Sequence, residues 1–251
     1  MRWMSKISRY REKLKTLKDW DSFLLKESGL PGTRANLELA QAVADEADAK
    51  HFLQWLRLGP DAAPTNSPKA FLVVCGVVGL GKLLAQGQTE MLNKLRQYAS
   101  DPRWRIREGV TMALQRLGDA NMDLLLREKE EWSRGNLLEK RAAAAALCEP
   151  RLLGNRDQVW KVLKILDEIT SSMTCVNDRR SEEFRVLRQS LGYCWSVAAA
   201  AHPEEGKRLM EKWLSSDDRD VLWIMKENLK KKRLRNMDTA WAEQWIRHLS
   251  Q

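Results

Sequence analysis

Ten residues starting at Asp101 are answered, without a gap, by ten starting at Asp220. Asp101, Trp104, Ile106, Arg107, Glu108 and Val110 stand in register with Asp220, Trp223, Met225, Lys226, Glu227 and Leu229. Six agreements of such mixed chemistry over ten positions are hardly supplied by chance. The offset of 119 residues equals three units of about 40, the length of a two-helix repeat. Weaker echoes fall between the copies, at Lys140-Arg141 before Ala142–Leu147 and at Phe184–Leu191. A unit this short cannot bury its apolar face alone, so it must stack on its neighbours.

Composition says what the unit is made of. Leu and Ala supply 60 of 251 residues, Val, Ile and Thr together only 26, a balance that favours helix over strand. Small polar caps, some with proline just inside, mark helix starts at Ser67-Pro68, Thr89, Asp101-Pro102, His202-Pro203, Asp218 and Asp238. Stops fall at Gly87, Gly118, Gly135 and Pro150. Between these marks apolar residues recur at helical spacing, as at Trp160, Leu163, Leu166 and Ile169. The punctuation predicts about twelve helices, an all-α fold of about six helix pairs in an α-α superhelix, and no sheet.

On the two echoed segments the chain resembles the HEAT-repeat family of α-solenoids. Asp101 to Arg107 and Asp220 to Lys226 have the Asp-to-base separation of a HEAT second helix, and Ile106, Val110, Met225 and Leu229 hold the matching core positions. The chain is similar, more distantly, to bacterial HEAT-like proteins grouped near the DNA alkylation repair family. The resemblance implies that Trp104, Arg107, Trp223 and Lys226 lie on second helices, toward or bordering a concave binding side. Two roles for them follow. Either the aspartates and bases pair between units while the tryptophans pack between layers, or the residues form an aromatic and basic ladder for an anionic partner. The repair glycosylases of that family pair an aromatic groove with a catalytic Asp, but their Trp-Trp-Asp signature has no counterpart in this sequence, so no catalytic residue is assigned.

The ends depart from the repeat. Residues 1–27 carry an apolar stripe (Trp3, Ile7, Tyr10, Leu14, Leu17, Leu24) and a face rich in cations, among them Arg2, Lys6, Arg9, Arg11, Lys13, Lys15 and Lys18. The segment 1–32 therefore reads as a basic amphipathic capping helix, ahead of a single repeat domain over 33–251 with a flexible joint at Gly59–Pro68. No apolar leader follows Met1-Arg2-Trp3-Met4, and the uncharged stretches Ala70–Gly81 and Gln189–Pro203 fall short of the ~20 residues of a membrane span. Cys75, Cys148, Cys175 and Cys194 are widely spaced and read as buried free thiols. A cytoplasmic protein, monomeric by default, is expected.

Local chemistry is sparse. Gly76-Val-Val-Gly79-Leu-Gly81-Lys82-Leu83 approaches a phosphate-binding loop, but Leu83 stands where a Ser or Thr would hold Mg²⁺. A helix packed closely through small residues explains the same letters. His51, His202 and His248 are isolated, so no metal and no cofactor is expected. What remains is charge: 43 Lys+Arg against 34 Asp+Glu, a net of +9. Outside the N-terminal helix it gathers at Arg103, Arg105 and Arg107 beside Trp104. The other cluster is Lys226 with Lys230, Lys231, Lys232, Arg233 and Arg235, near Trp223; on one helix, Lys226, Lys230 and Arg233 would share a face. The expectation is a non-catalytic HEAT-like binding protein for an anionic macromolecule, nucleic acid or an acidic protein surface. The alternative is an alkylpurine-type DNA glycosylase.

Overall fold

A computed structural model describes residues 4–249; Arg2 and Trp3 of the N-terminal stripe lie outside them. Fifteen α-helices and a 3-10 turn at Pro150–Leu152 form the regular structure, with no strand among the described residues. In chain order they are α1 (Lys6–Thr16), α2 (Trp20–Glu27), α3 (Leu37–Glu46), α4 (Ala49–Trp55), α5 (Pro68–Ala85), α6 (Met91–Ala99), α7 (Trp104–Ala120) and α8 (Met122–Ser133). There follow α9 (Leu137–Leu147), α10 (Arg156–Thr174), α11 (Glu182–Ala201), α12 (Pro203–Leu214), α13 (Arg219–Leu229), α14 (Lys232–Met237) and α15 (Thr239–His248). The fold is all-α. Its contacts separate into two compact units that divide between Ala120 and Asn121.

Helix starts follow from side-chain capping. Eleven of the fifteen helices have a Ser, Asp or Asn side chain accepting a first-turn N–H: Ser5, Asp19, Asn36, Asp48, Ser67, Asn121, Asn136, Asn155, Ser181, Asp218 and Asp238. Each cap satisfies a first-turn N–H that the helix itself leaves unpaired. The same rule corrects several sequence expectations. The N-terminal stretch is two helices, because the Asp19 carboxylate accepts from Ser22 N at 3.1 Å and starts α2 afresh. Asp101 does not open a helix directly: its carboxylate is taken by Arg103, and α7 begins at Trp104. Thr89 caps nothing, since α6 starts at Met91 behind Glu90. Gly118 does not stop α7, which runs on to Ala120, where Asn121 opens α8.

In the first unit α1 packs on α3, α3 on α5 and α5 on α7, forming one layer; α2 and α4 pack on α5, and α6 on both α5 and α7, as the other. From Met4 on, the segment expected to cap the repeats packs through α1 on α3 and through α2 on α5. Helix α5 is its centre, with 14 of its 18 residues buried. By length and composition α5 could cross a membrane, longer than the uncharged run alone suggested, but here it is enclosed by protein. Its glycines allow that enclosure. A Cβ on Gly79 would lie 2.2 Å from the Phe52 ring, and one on Gly81 would lie 2.6 Å from the Ala113 backbone of α7. The letters resembling a phosphate loop are therefore a packed helix, and Lys82 donates to the Asp45 and Ala47 carbonyls at the end of α3, 2.8 Å each, closing its unpaired acceptors.

In the second unit α9, α11 and α13 form one layer and α8, α10 and α12 the other, with α14 and α15 closing the end. Buried Asn228 fastens α13 to α11: its amide donates to Leu191 and Ile224 carbonyls at 2.8 Å and its oxygen accepts from Ser196 N at 2.7 Å. Alternation of helices between two layers within each unit is the packing of an α-α superhelix. The four cysteines are free; Cys75, Cys148 and Cys194 are buried as expected, whereas Cys175 is exposed.

The α5–α7 contact makes a test in which propensity and packing oppose each other. Gly81→Ala gains about 1 kcal/mol of helix propensity but must displace backbone at 2.6 Å, so a net loss of about 1–3 kcal/mol is expected. Gly109→Ala, whose Cβ would meet Val77 at an ordinary 3.4 Å, is expected to be neutral or stabilising by up to about 1 kcal/mol. Urea denaturation of the two variants should move the midpoint in these opposite senses.

Candidate functional site

The two echoed segments open α7 and α13, one in each unit, and bury the same register positions: Ile106 and Val110, Met225 and Leu229. Beyond that shared core the two copies differ in what their charges do. In the first, Arg103 is buried and spent on structure. Its guanidinium grips both Asp101 oxygens at 2.8 and 2.7 Å and donates to the Leu58 and Ala63 carbonyls at 3.1 Å. Arg107, also buried, donates to the Asp101 and Pro102 carbonyls at 2.8 and 3.1 Å. Arg105 holds Gly32 O at 2.6 Å and Asn66 Oδ1 at 3.1 Å. The segment Gly59–Pro68, expected to be a flexible joint, is pinned by these arginines inside the first unit. Of this cluster Trp104 alone reaches solvent, 45% exposed, with the Arg105 guanidinium 4.3 Å over its ring.

In the second copy the pairing role passes to residues that the motif does not contain. Asp220 is held by Arg179 at 3.1 Å and Arg188 at 2.5 Å, and Asp218 by Arg179 at 2.7 Å. The motif base differs as well: Lys226 is exposed and has no carboxylate partner among the described residues. Trp223 is half-buried, with the Arg188 guanidinium 4.4 Å from its ring. Its other neighbour is Gly192 of α11, where a Cβ would lie 3.2 Å from the indole. Beside that glycine, Tyr193 is 44% exposed. Arg233 donates to its hydroxyl at 2.5 Å and lies 4.6 Å over its ring, with Lys231 at 5.9 Å. Lys232 and Arg235 are exposed, and Lys230 pairs with Glu227.

The basic run is not one helix. Helix α13 ends at Leu229, the chain turns at Lys230 and Lys231, and α14 starts at Lys232, anchored by fully buried Leu234. The face expected to join Lys226, Lys230 and Arg233 is accordingly broken; Arg233 instead meets α11 through Tyr193. Arg179, in the turn before α11, and Arg188 and Tyr193, on α11, carry no mark in the sequence, since they meet α13 and α14 only in the folded unit. Next to Trp223, the residues Arg179, Arg180, Arg188, Arg219, Asp217, Asp218 and Asp220 line a cavity of about 680 Å³. Another exposed tryptophan, Trp160, lies at a groove of about 590 Å³ between α8 and α10.

Half of the ten described tryptophans belong to the core. Trp55, Trp213 and Trp241 are buried and donate their indole N–H to Asp21, Asp167 and Glu211 at 2.7–2.8 Å, and Trp195 donates to Thr170 at 3.0 Å. Trp132 is buried as well. No three His, Cys, Asp or Glu side chains gather to hold a metal ion among the described residues. In comparison with known proteins, no family model matches the chain, and no curated protein and no solved structure matches it.

The Arg179–Asp218 pair carries a pH signature. Burial works against the ionised Asp218 carboxylate, but the Arg179 hydrogen bond and the N–H groups of Val221 and Asp220 outweigh it and hold its pKa below the ordinary 3.8. A depressed carboxylate pKa contributes stability that is present above the unfolded value and lost as pH falls through the folded one. Acid titration of the folded chain is therefore expected to release this contribution below about pH 4. Asp218→Asn should flatten that part of the stability profile while lowering stability at neutral pH, as read by chemical denaturation at each pH.

Proposed function

We propose that this chain is a non-catalytic HEAT-like repeat protein of the cytoplasm whose second unit binds nucleic acid. The carrying observation is the contrast between the two echoed segments. The arginines around Trp104 are consumed by carbonyls and Asp101, whereas Lys226, Lys232 and Arg235 face solvent without carboxylate partners, on the two helices that also carry half-buried Trp223 and the Arg233 that meets exposed Tyr193. Uncommitted cations supply phosphate contacts, and a neighbouring aromatic ring supplies what an acidic protein surface would not need. The binding surface of the proposal is thus smaller than the sequence suggested: Lys226, Lys230, Lys231, Lys232, Arg233 and Arg235 with Trp223 and Tyr193, and without Arg103, Arg107 or Trp104.

No observation favours the glycosylase alternative. Base excision needs a carboxylate free to act near an aromatic pocket; of the carboxylates lining the cavity with Trp223, Asp218 and Asp220 are tied to arginine and Asp217 is exposed to solvent.

Binding to fluorescein-labelled nucleic acid, followed by anisotropy across a salt series, tests the reading. The logarithm of affinity is expected to fall linearly with the logarithm of salt, and each phosphate contact removed should shallow the slope by about 0.7–0.9. Reversing Lys230, Lys231 and Lys232 to Glu should weaken binding at least tenfold at low salt. No binding of DNA or RNA at low salt would overturn the proposal, and capture of an acidic protein in its place would point to the other partner class.

A further inference from the structure

We infer that the nucleic acid taken by the second unit is single-stranded, its bases stacking at Tyr193 while its phosphates follow the cations of α13 and α14. This rests on the nucleic-acid reading above and adds to it which form of the polymer the surface selects.

A duplex presents a regular row of phosphates, with its bases already stacked on one another and only their edges showing in the grooves. It is met well by cations alone, and it leaves an exposed ring with nothing to stack against. A single strand offers unstacked bases as well as phosphates, so rings and guanidinium planes gain a partner.

The surface has both kinds of group in one place. Along α11 and its neighbours the order is Arg188 on the Trp223 ring, Trp223 over Gly192, then Tyr193 with Arg233 and Lys231 on its ring. The absence of a side chain at Gly192 is what lets the indole of α13 settle against α11. Tyr193 is the next residue of α11 after that glycine. Tyr193 is not loose: the hydrogen bond from Arg233 to its hydroxyl fixes the ring while nearly half of the residue stays open to solvent. A ring held in place loses little conformational freedom on binding, which is the condition for a stacking platform.

The cations close by complete the match. Lys226, Lys232 and Arg235 have no carboxylate partner among the described residues, so their charge is available to a phosphate backbone. Charge complementarity and a half-exposed ring already bearing the Arg233 guanidinium together point to a strand with accessible bases, which can stack on ring and guanidinium alike.

The test compares three labelled probes of equal length with the full-length protein at one low salt concentration: a 20-nucleotide thymidine strand, a mixed-sequence 20-base-pair duplex, and an abasic strand that keeps the phosphates and lacks the bases. The intact protein is expected to bind the thymidine strand at least tenfold more tightly than the abasic strand or the duplex. Tyr193→Ala should lower affinity for the thymidine strand about tenfold and leave the duplex and abasic strand within twofold. Tyr193→Phe, which keeps the ring and loses only the Arg233 anchor, should retain most of the single-strand affinity. Equal binding of all three probes, or an equal loss on all three in Tyr193→Ala, would overturn the stacking inference while leaving the nucleic-acid reading standing. Failure of every probe to bind would overturn both. Circular dichroism melting of the two variants guards against a change in fold.

Discussion

Every helix begins with N–H groups that have no partner inside it, and this chain has fifteen such beginnings to satisfy. Much of its short polar side-chain inventory goes to that end. Asp19, Asp48, Asp218 and Asp238 cap helices with their carboxylates, in company with Ser and Asn caps elsewhere. Other carboxylates are drawn inward by buried donors: Asp21, Asp167 and Glu211 receive tryptophan N–H groups, and Asp45 and Asp101 receive arginines. Lysines have no comparable duty at helix starts. The same constraint that sets the helix boundaries therefore uses up acidic groups and leaves part of the cationic excess on the surface, and the excess charge of the composition gains its location from the fold.

That location is narrower than composition implies. A net charge of +9 describes the whole chain, yet arginines that look like a patch in sequence can be structural in space. Arg103 and Arg107 act as bracing for the turn before α7. In the second unit Arg179 and Arg188 come from outside the motif and hold the aspartate, and Lys226 is exposed with no carboxylate partner among the described residues. One sequence pattern thus supports two arrangements, and only the second leaves cations free beside aromatic rings.

How far the sequence discloses this can be traced residue by residue. Leu and Ala excess and the caps at Ser67, Asp218 and Asp238 disclose the all-α class and several boundaries, because capping and propensity act within a few residues. The matching burial of Ile106, Val110, Met225 and Leu229 follows from the echo. The glycines of α5 were legible as close packing, although not against which partner: Phe52 and Ala113 lie far away in the chain. The break between α1 and α2 has a local cause in the Asp19 cap that the apolar stripe masked. Two features were not legible: the pinning of the loop over 59–67 and the meeting of Tyr193 with Arg233 both depend on which helices pack together. Local sequence carries no record of that choice. The site was half visible for the same reason, with its lysines in plain view and its aromatic platform hidden on α11.

The account stands on the second unit, and not the first, being the one that meets nucleic acid. Amide hydrogen exchange of the full chain, with and without a saturating single strand, measures this directly, since protection reports the elements that close on binding. Added protection is expected in the turn and first residues of α14, around Lys230 to Arg235, and on α11 near Tyr193, with the start of α7 around Trp104 unchanged. Protection confined to α7 and its loop, with none on α11 or α14, would contradict it.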